Sequence, residues 1–464
     1  MSATNTGTTA VGSILSSGGL GTAATGGLGT GLNVQQVVAA QIQADSAPLV
    51  QLQNQQTALS AQSSALNSLE VDVSNLQAAV FNLTDFSGGL NAQQVNSSDP
   101  TVLTGTASTS AQTATHNIVV KSLATTASYY TNPTTLPATG TTPLATGGSF
   151  TIVAGTNTAS ITINSTNNTL TGIASAINNS TVGASVTASV INDSSGARLA
   201  IVGNSSGAAN NFTVTDTGDT TGLNFTKAAS GADASLSVDN IPISSASNTV
   251  TGAIQGVTLN LASANLNETV SLNVTPDTTQ AGTAISQFVT AYNTVVGDLN
   301  TQFAINPITG SAGVLSSDST LSLVQDQLLT AINASSAGSV TNLGSIGINL
   351  QNDGTLAIDV PTLTNALNSN FSAIQNFFQS TSSGVGQALT SGLTNIADPT
   401  QGSISLDLKG ITQQQTDLAS QILDLQSNLT LEQQTLITKY SNVNVILQQL
   451  PALQQQISGQ LAGA

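Results

Sequence analysis

Apolar residues recur every seven positions along two stretches near the ends of the chain, and that spacing predicts long amphipathic helices. After Pro48 the series is Leu52, Leu59, Leu66, Val73 and Val80, joined three places on by Leu69, Leu76 and Leu83. Helical patterning begins at Asn33. Pro48 lacks an N–H and disfavours helix in the residue before it, so it should mark a helix start or kink where two helical pieces meet. The second series is Ile422, Leu429, Leu436, Val443, Leu450 and Ile457, with Ile411, Leu418 and Leu425 in the neighbouring row. Glu432 and Lys439 stand where that neighbouring row should continue, which narrows the stripe, and Pro451 should kink the final turns. A continuous helix over 411–461 would form a rod of roughly 75 Å at ~1.5 Å per residue. Water disfavours each bare stripe, so 33–85 and 411–461 are expected to pack side by side or to share a bundle.

The pattern between these ends has a different period. From about Thr101 to Pro276 β-branched residues alternate with polar ones and are broken by Gly, Asn, Asp and Ser turns, as in Ser149-Phe-Thr-Ile-Val and Val270-Ser-Leu-Asn-Val. Short antiparallel strands follow, interrupted by one helix at Leu170-Thr-Gly-Ile-Ala-Ser-Ala-Ile-Asn. Helical spacing returns over 281–299, 321–332 and 363–378, with a hairpin over 346–358 turning on Asn352-Asp353-Gly354. The expected fold is α+β and multidomain, with long antiparallel terminal helices, as a coiled coil or helical bundle, and inserted β-rich head domains. Its divisions are a flexible arm at 1–31, a helical leg from 32–55 plus 425–464, and a bundle with a small hairpin from 56–98 plus 281–424. An inner head is expected from 99–125 plus 236–280 and an outer head from 126–235.

Composition narrows the chemistry. Charged residues are 6% of the chain, against about 25% in ordinary domains, so few ion pairs are available. The five basic residues, Lys121, Arg198, Lys227, Lys409 and Lys439, are too scattered for the basic stripe that nucleic acid requires. A formal charge of −17 also disfavours anionic membranes, and no stretch reaches the ~20 apolar residues of a membrane span. Cysteine is absent, which excludes disulfides, thiol catalysis and Cys-based zinc sites. Residues 1–31 carry no basic n-region or continuous apolar h-region, so no cleaved secretion signal is expected. Their Gly, Ser and Thr content reads as a flexible arm rather than a phosphate loop, since no strand precedes GGLG and no Lys follows it.

Candidate catalytic groups do not assemble. His116 is the single histidine and reads as a solvated or packed strand residue. Asp216-Thr217-Gly218 lacks the second copy that an aspartic dyad needs, so Asp216, Asp219 and Asp353 read as turn residues. Tyr129-Tyr130 is at most a surface contact. The chain is read as non-enzymatic, without cofactor or metal. The residues expected to make assembly contacts are those of the helix seams: Leu52, Leu59, Leu66, Val73, Val80, Leu418, Ile422, Leu425, Leu429, Leu436, Val443, Leu450 and Ile457.

Several segments, taken in order, resemble one family. Gly29-Thr-Gly-Leu-Asn-Val-Gln-Gln-Val-Val with Ala47-Pro-Leu, and then Ser97-Ser-Asp-Pro-Thr-Val-Leu-Thr-Gly-Thr-Ala, are similar to the start and head entry of the flagellar hook-associated protein 2, or filament cap, family. Asn248-Thr-Val-Thr-Gly-Ala-Ile-Gln-Gly-Val-Thr-Leu-Asn-Leu, Phe288-Val-Thr-Ala-Tyr-Asn and Ile346-Gly-Ile-Asn-Leu-Gln-Asn-Asp-Gly-Thr-Leu continue the match in register. The resemblance implies an extracellular protein of the bacterial flagellum, exported unfolded by the flagellar type III apparatus, that caps the filament tip as a ring-shaped homo-oligomer, a pentamer in the family. It further implies flagellin and hook–filament junction proteins as partners, an export chaperone before secretion, and no nucleic acid or membrane insertion. A flagellin-like or other hook-associated structural protein, or a surface adhesin acting through its β heads, is the alternative.

Overall fold

The structure, a computed structural model, describes residues 33–132, 137–216, 221–308, 310–381 and 384–461. The arm expected over 1–31 and residue Asp219 lie outside them. The helices are α1 Val34–Asp45, α2 Ala47–Thr84, α3 Leu170–Asn178, α4 Thr278–Phe303, α5 Ser319–Ile332, α6 Val360–Ser369, α7 Phe371–Gln379, α8 Val385–Ala397 and α9 Ser403–Leu461. All named strand pairs are antiparallel.

Two compact units divide the chain, one built from residues up to Thr84 together with Ile285 onward, the other from Asp85–Ala284. In the helical unit α1 and α2 meet at Ser46, a buried residue whose hydroxyl donates to the Gln43 carbonyl at 2.8 Å. The join falls two residues before Pro48, where the missing N–H and the restriction on the preceding residue place a helix start. The later heptad positions of α2, Leu66, Val73 and Val80, are buried with Leu69, Leu76 and Leu83. Helix α2 packs against α8, which in turn packs on α5. Phe288, Phe377 and Phe378 meet nearby, with ring centroids 5.2 Å apart for the Phe377–Phe378 pair.

Several sequence expectations shift. The helical stretch expected over 363–378 is two helices broken at Asn370, whose φ of −133° leaves the helical region. Helix α8 has no counterpart in the sequence expectations; Gly386, Gly392 and its Ser and Thr residues depress intrinsic helix propensity, and burial of Val385, Leu389, Leu393 and Ile396 supplies the missing stability. Helix α9 starts at Ser403 rather than 411, because the Asp398 carboxylate accepts the N–H groups of Thr400 and Gln401 and turns the chain just before it. The helix continues through Pro451 to Leu461.

The second unit holds two hydrophobic cores. One, centred on Leu103, Ile118, Val120, Leu236, Leu259 and Leu272, is closed by a five-stranded sheet in the order Gln93–Ser97, Val270–Pro276, Ala114–Ser122, Ala234–Val238, Ile241–Ser245, and by a three-stranded sheet. The other, centred on Phe150, Ile152, Ile173, Leu199, Ile201 and Phe212, lies among a four-stranded sheet, a three-stranded sheet and α3. In each, side chains alternate across the strand, so one face buries β-branched and aromatic groups while the other carries Thr, Ser and Asn.

Candidate assembly interface

Helix α9 packs along α2 and α1. At about 100° per residue, Leu418, Ile422, Leu425, Leu429, Leu436, Val443, Leu450 and Ile457 project within one arc of about 100°, a single apolar face. The structure brings only its first half to a partner: Leu418, Ile422 and Leu429 are buried with Leu49, and Leu425, Leu52 and Leu59 pack against that cluster. Leu436 is half-buried. Beyond it Val443, Ile446, Leu447, Leu450, Leu453 and Ile457 are all exposed. The two heptad rows therefore meet over 49–59 and 418–429, Leu66, Val73 and Val80 serve the bundle instead, and the distal end of α9 displays its seam to solvent among the described residues.

That distal face has the chemistry of an unfilled helix–helix contact. Burying a Leu, Ile or Val side chain is worth roughly 1.5–3 kcal/mol, so six such residues in one stripe strongly favour a covering surface. The charges near it are few: Glu432 and Lys439 stand in the stripe, and Asp417 and Asp424 precede it. With so little electrostatic patterning, a surface that covered this face would be matched to it by shape and apolar burial rather than by charge.

The second unit offers a different feature that the sequence reading missed. His116 Nδ1 lies 2.8 Å from Asp239 Oδ2, and the other oxygen of Asp239 accepts the Asn117 N–H at 2.8 Å. The Asn117 N–H first and His116 second hold the Asp239 carboxyl below its ordinary value of 3.8. Asp239 and Asn240 occupy the left-handed region, with φ of 48° and 67°, as a two-residue hairpin turn demands. The pair borders a groove of about 300 Å³ lined also by Val238, Ile241, Ile243 and Ile254. The partner of His116 is 123 residues away in sequence, which is why local patterning could not supply it. Tyr129 packs on Phe212 with centroids 5.1 Å apart, and Arg198 lies 5.8 Å above the Tyr130 ring. Asp216, expected in a turn, is instead the last residue of the strand Phe212–Asp216, opposite Phe150, and its carboxylate accepts from the Thr221 hydroxyl. Among the described residues no three His, Asp or Glu side chains converge to ligate a metal, and no helix is long and apolar enough to cross a membrane.

Comparison with known proteins supplies the context. The profile of the flagellar hook-associated protein 2 N-terminus matches residues 30–127, and that of the flagellar hook-associated protein 2 C-terminus matches residues 231–452. The B-type flagellar hook-associated protein 2 of Pseudomonas aeruginosa is 28% identical over 251 residues, covering 51% of this chain and 50% of its own length. The flagellar hook-associated protein 2 of Salmonella typhimurium is 32% identical over 215 residues, covering 41% of this chain and 44% of its own. The chain thus spans about half the length of the curated relatives it matches. Among solved structures, the D1-D2-D3 domains of the flagellar cap protein FliD from Escherichia coli align with a TM-score of 0.57 at 29% identity, over 75% of this chain and 99% of that one.

Proposed function

The chain belongs to the flagellar hook-associated protein 2 family, and from that premise we propose that it caps the bacterial flagellar filament, sitting at the distal tip as an oligomeric lid under which flagellin folds and polymerises. The observation that carries the reading is the half-covered seam of α9: Leu429 is 2% exposed whereas Leu450 is 47% exposed on the same face. An apolar helix end of that kind is suited to exchange partners with helices of other subunits, and a compact β-rich unit is suited to obstruct an opening. The action is steric and conformational, and it asks for no constellation of acid, base and nucleophile.

In this reading Val443, Leu450 and Ile457 contact neighbouring subunits, while Leu52, Leu59, Leu418, Ile422, Leu425 and Leu429 hold the leg together. Residues 99–125 plus 236–280 act as an inner head and 126–235 as an outer head. The chain assembles as a ring, of five copies by analogy with the family, meets flagellin and the hook–filament junction proteins, and travels with a chaperone through the flagellar export apparatus. Deleting the gene tests the reading. The deletion strain should secrete unpolymerised flagellin and lose swimming, and the full-length chain supplied from a plasmid should restore both. A deletion strain with normal filaments and no leaked flagellin overturns it.

A further inference from the structure

Two pairs of half-buried carboxyl groups meet in the helical unit. Asp72 of α2 faces Asp298 of α4. Asp407, in the first turns of α9, faces Asp318, which caps α5. Buried Thr320 ties the second pair: its N–H donates to Asp318 Oδ1 at 2.8 Å, and its hydroxyl donates to Asp407 Oδ2 at 3.1 Å. Ionised carboxylates only accept, so two carboxyl groups in contact require a proton on one of them.

Among the described residues no cation relieves either pair. Of the helices packed here, α6, α7 and α8 carry no titratable side chain, and α1 contributes Asp45, α2 Glu70, α4 Tyr292 and α5 Asp326. The hairpin against α4 brings Asp353, whose carboxylate is occupied by the Thr355 N–H and hydroxyl. On α9 the remaining groups are Lys409, Asp417, Asp424, Glu432, Lys439 and Tyr440. Lys409 Nζ is turned to the Thr400 carbonyl at 3.1 Å and lies beside Asp398.

We propose that the two pairs are proton latches of the helical unit: each holding one shared proton, they fasten α2 to α4 and the start of α5 to α9, and loss of those protons makes both contacts repulsive and loosens the packing. Burial, and then Asp298, push the Asp72 carboxyl up to about 6. Burial, and then Asp318, push Asp407 up to about 6, against a smaller downward pull from Thr320. Because the folded carboxyls bind protons more tightly than the unfolded chain, whose ordinary value is 3.8, their stabilisation is fully present below that value and is lost as pH rises through about 6. Asp353 and Asp398 in the same unit have lowered values and act with the opposite sign, at lower pH. The interval from about pH 4.5 to about pH 7.5 therefore isolates the latches.

The test uses the full-length chain as wild type, Asp72→Asn and Asp407→Asn. Amide hydrogen exchange, corrected for intrinsic rates, reads α2, α4, α5 and α9 at both ends of that interval, and carbon-detected NMR follows the carboxyl groups of Asp72 and Asp407. In wild type, protection of these helices should fall at least about fivefold between pH 4.5 and 7.5, while each Asn variant should be better protected than wild type at pH 7.5 and less dependent on pH. Titration midpoints near 6 for both carboxyls are expected. Midpoints at or below about 4.5, or wild-type protection that is flat or rises with pH, overturn the proposal even where an Asn variant disturbs packing for other reasons.

Discussion

The side-chain amide of Asn178 engages both main-chain groups of Ala188: Nδ2 donates to the carbonyl oxygen at 2.9 Å, and Oδ1 accepts the N–H at 2.8 Å. Val186–Asp193 is an outer strand of its sheet, so one amide occupies a donor and an acceptor that would otherwise invite another strand. The same fork recurs between Asn211 and Gly231, between Asn248 and Ala124, and between Asn293 and Leu356. In a chain with 6% charged residues, neutral forks tie loops and strands where ion pairs would serve elsewhere, and they do not weaken with salt.

Asn178→Ala should therefore destabilise the β unit by about 1–3 kcal/mol. Asn178→Asp should cost at least as much, since a carboxylate cannot donate to the Ala188 carbonyl and instead faces it. Proteolysis under native conditions should cut within 126–235 faster in both variants, at any salt concentration. Wild-type resistance in either variant would show that the fork contributes nothing to the strand edge.

Gly386 supplies a packing prediction. A Cβ built there would lie 1.8 Å from the Phe378 carbonyl oxygen and 2.9 Å from Thr84 Cγ2. The carbonyl cannot withdraw without moving the end of α7. Gly386→Ala, ordinarily favourable inside a helix, should here destabilise the helical unit by roughly 1–3 kcal/mol or more. Gly410 lies in α9, where an added Cβ would meet nothing within 4 Å, so Gly410→Ala should be neutral or stabilising by up to about 1 kcal/mol. Paired denaturation curves measure the contrast, and a stabilised Gly386→Ala refutes the close approach.

The Asp239 turn makes a pH prediction. Its carboxylate accepts the Asn117 N–H and is paired with His116, so its folded value lies below 3.8. The stabilisation is present above that ordinary value and disappears as pH falls through the folded one. The amide resonance of Asn117 should titrate with a midpoint under 3.8, and the step should be absent in Asp239→Asn. A midpoint at or above 3.8 removes the basis for the prediction.

How far the fold can be read from the sequence depends on the range of the interaction. Heptads announce themselves through period alone, so Leu66, Val73 and Leu429 were legible as buried positions, and the alternation in Ser149–Ala154 marked a strand. Helix α8 was not legible, because its glycines argue against helix and only its burial between α2 and α5 argues for it. Asn248 gives no hint that it grips Ala124, 124 residues away. The seam of α9 was half legible: Leu429 and Leu450 carry the same spacing, and nothing local distinguishes a position that α2 covers from one that it does not.

That difference between the two halves of one seam makes the final prediction. Leu429 packs among Leu49, Leu418 and Ile422, so Leu429→Asp places a carboxylate in an apolar contact at a cost of several kcal/mol and should unfold the terminal helices in the isolated protein. Leu450 is on the same face and exposed, so Leu450→Asp should leave the circular dichroism and thermal midpoint of the isolated chain within error of wild type. If the distal seam is what other subunits cover, Leu450→Asp should nevertheless fail to restore motility to a deletion strain, and flagellin should still leak into the medium. Val445 is exposed too but lies roughly 140° around the helix from Leu450, so Val445→Asp is the control that should cap normally. A Leu450→Asp variant that swims like wild type, beside a Val445→Asp variant that also swims, assigns no role to the distal seam and leaves the function to the β-rich unit.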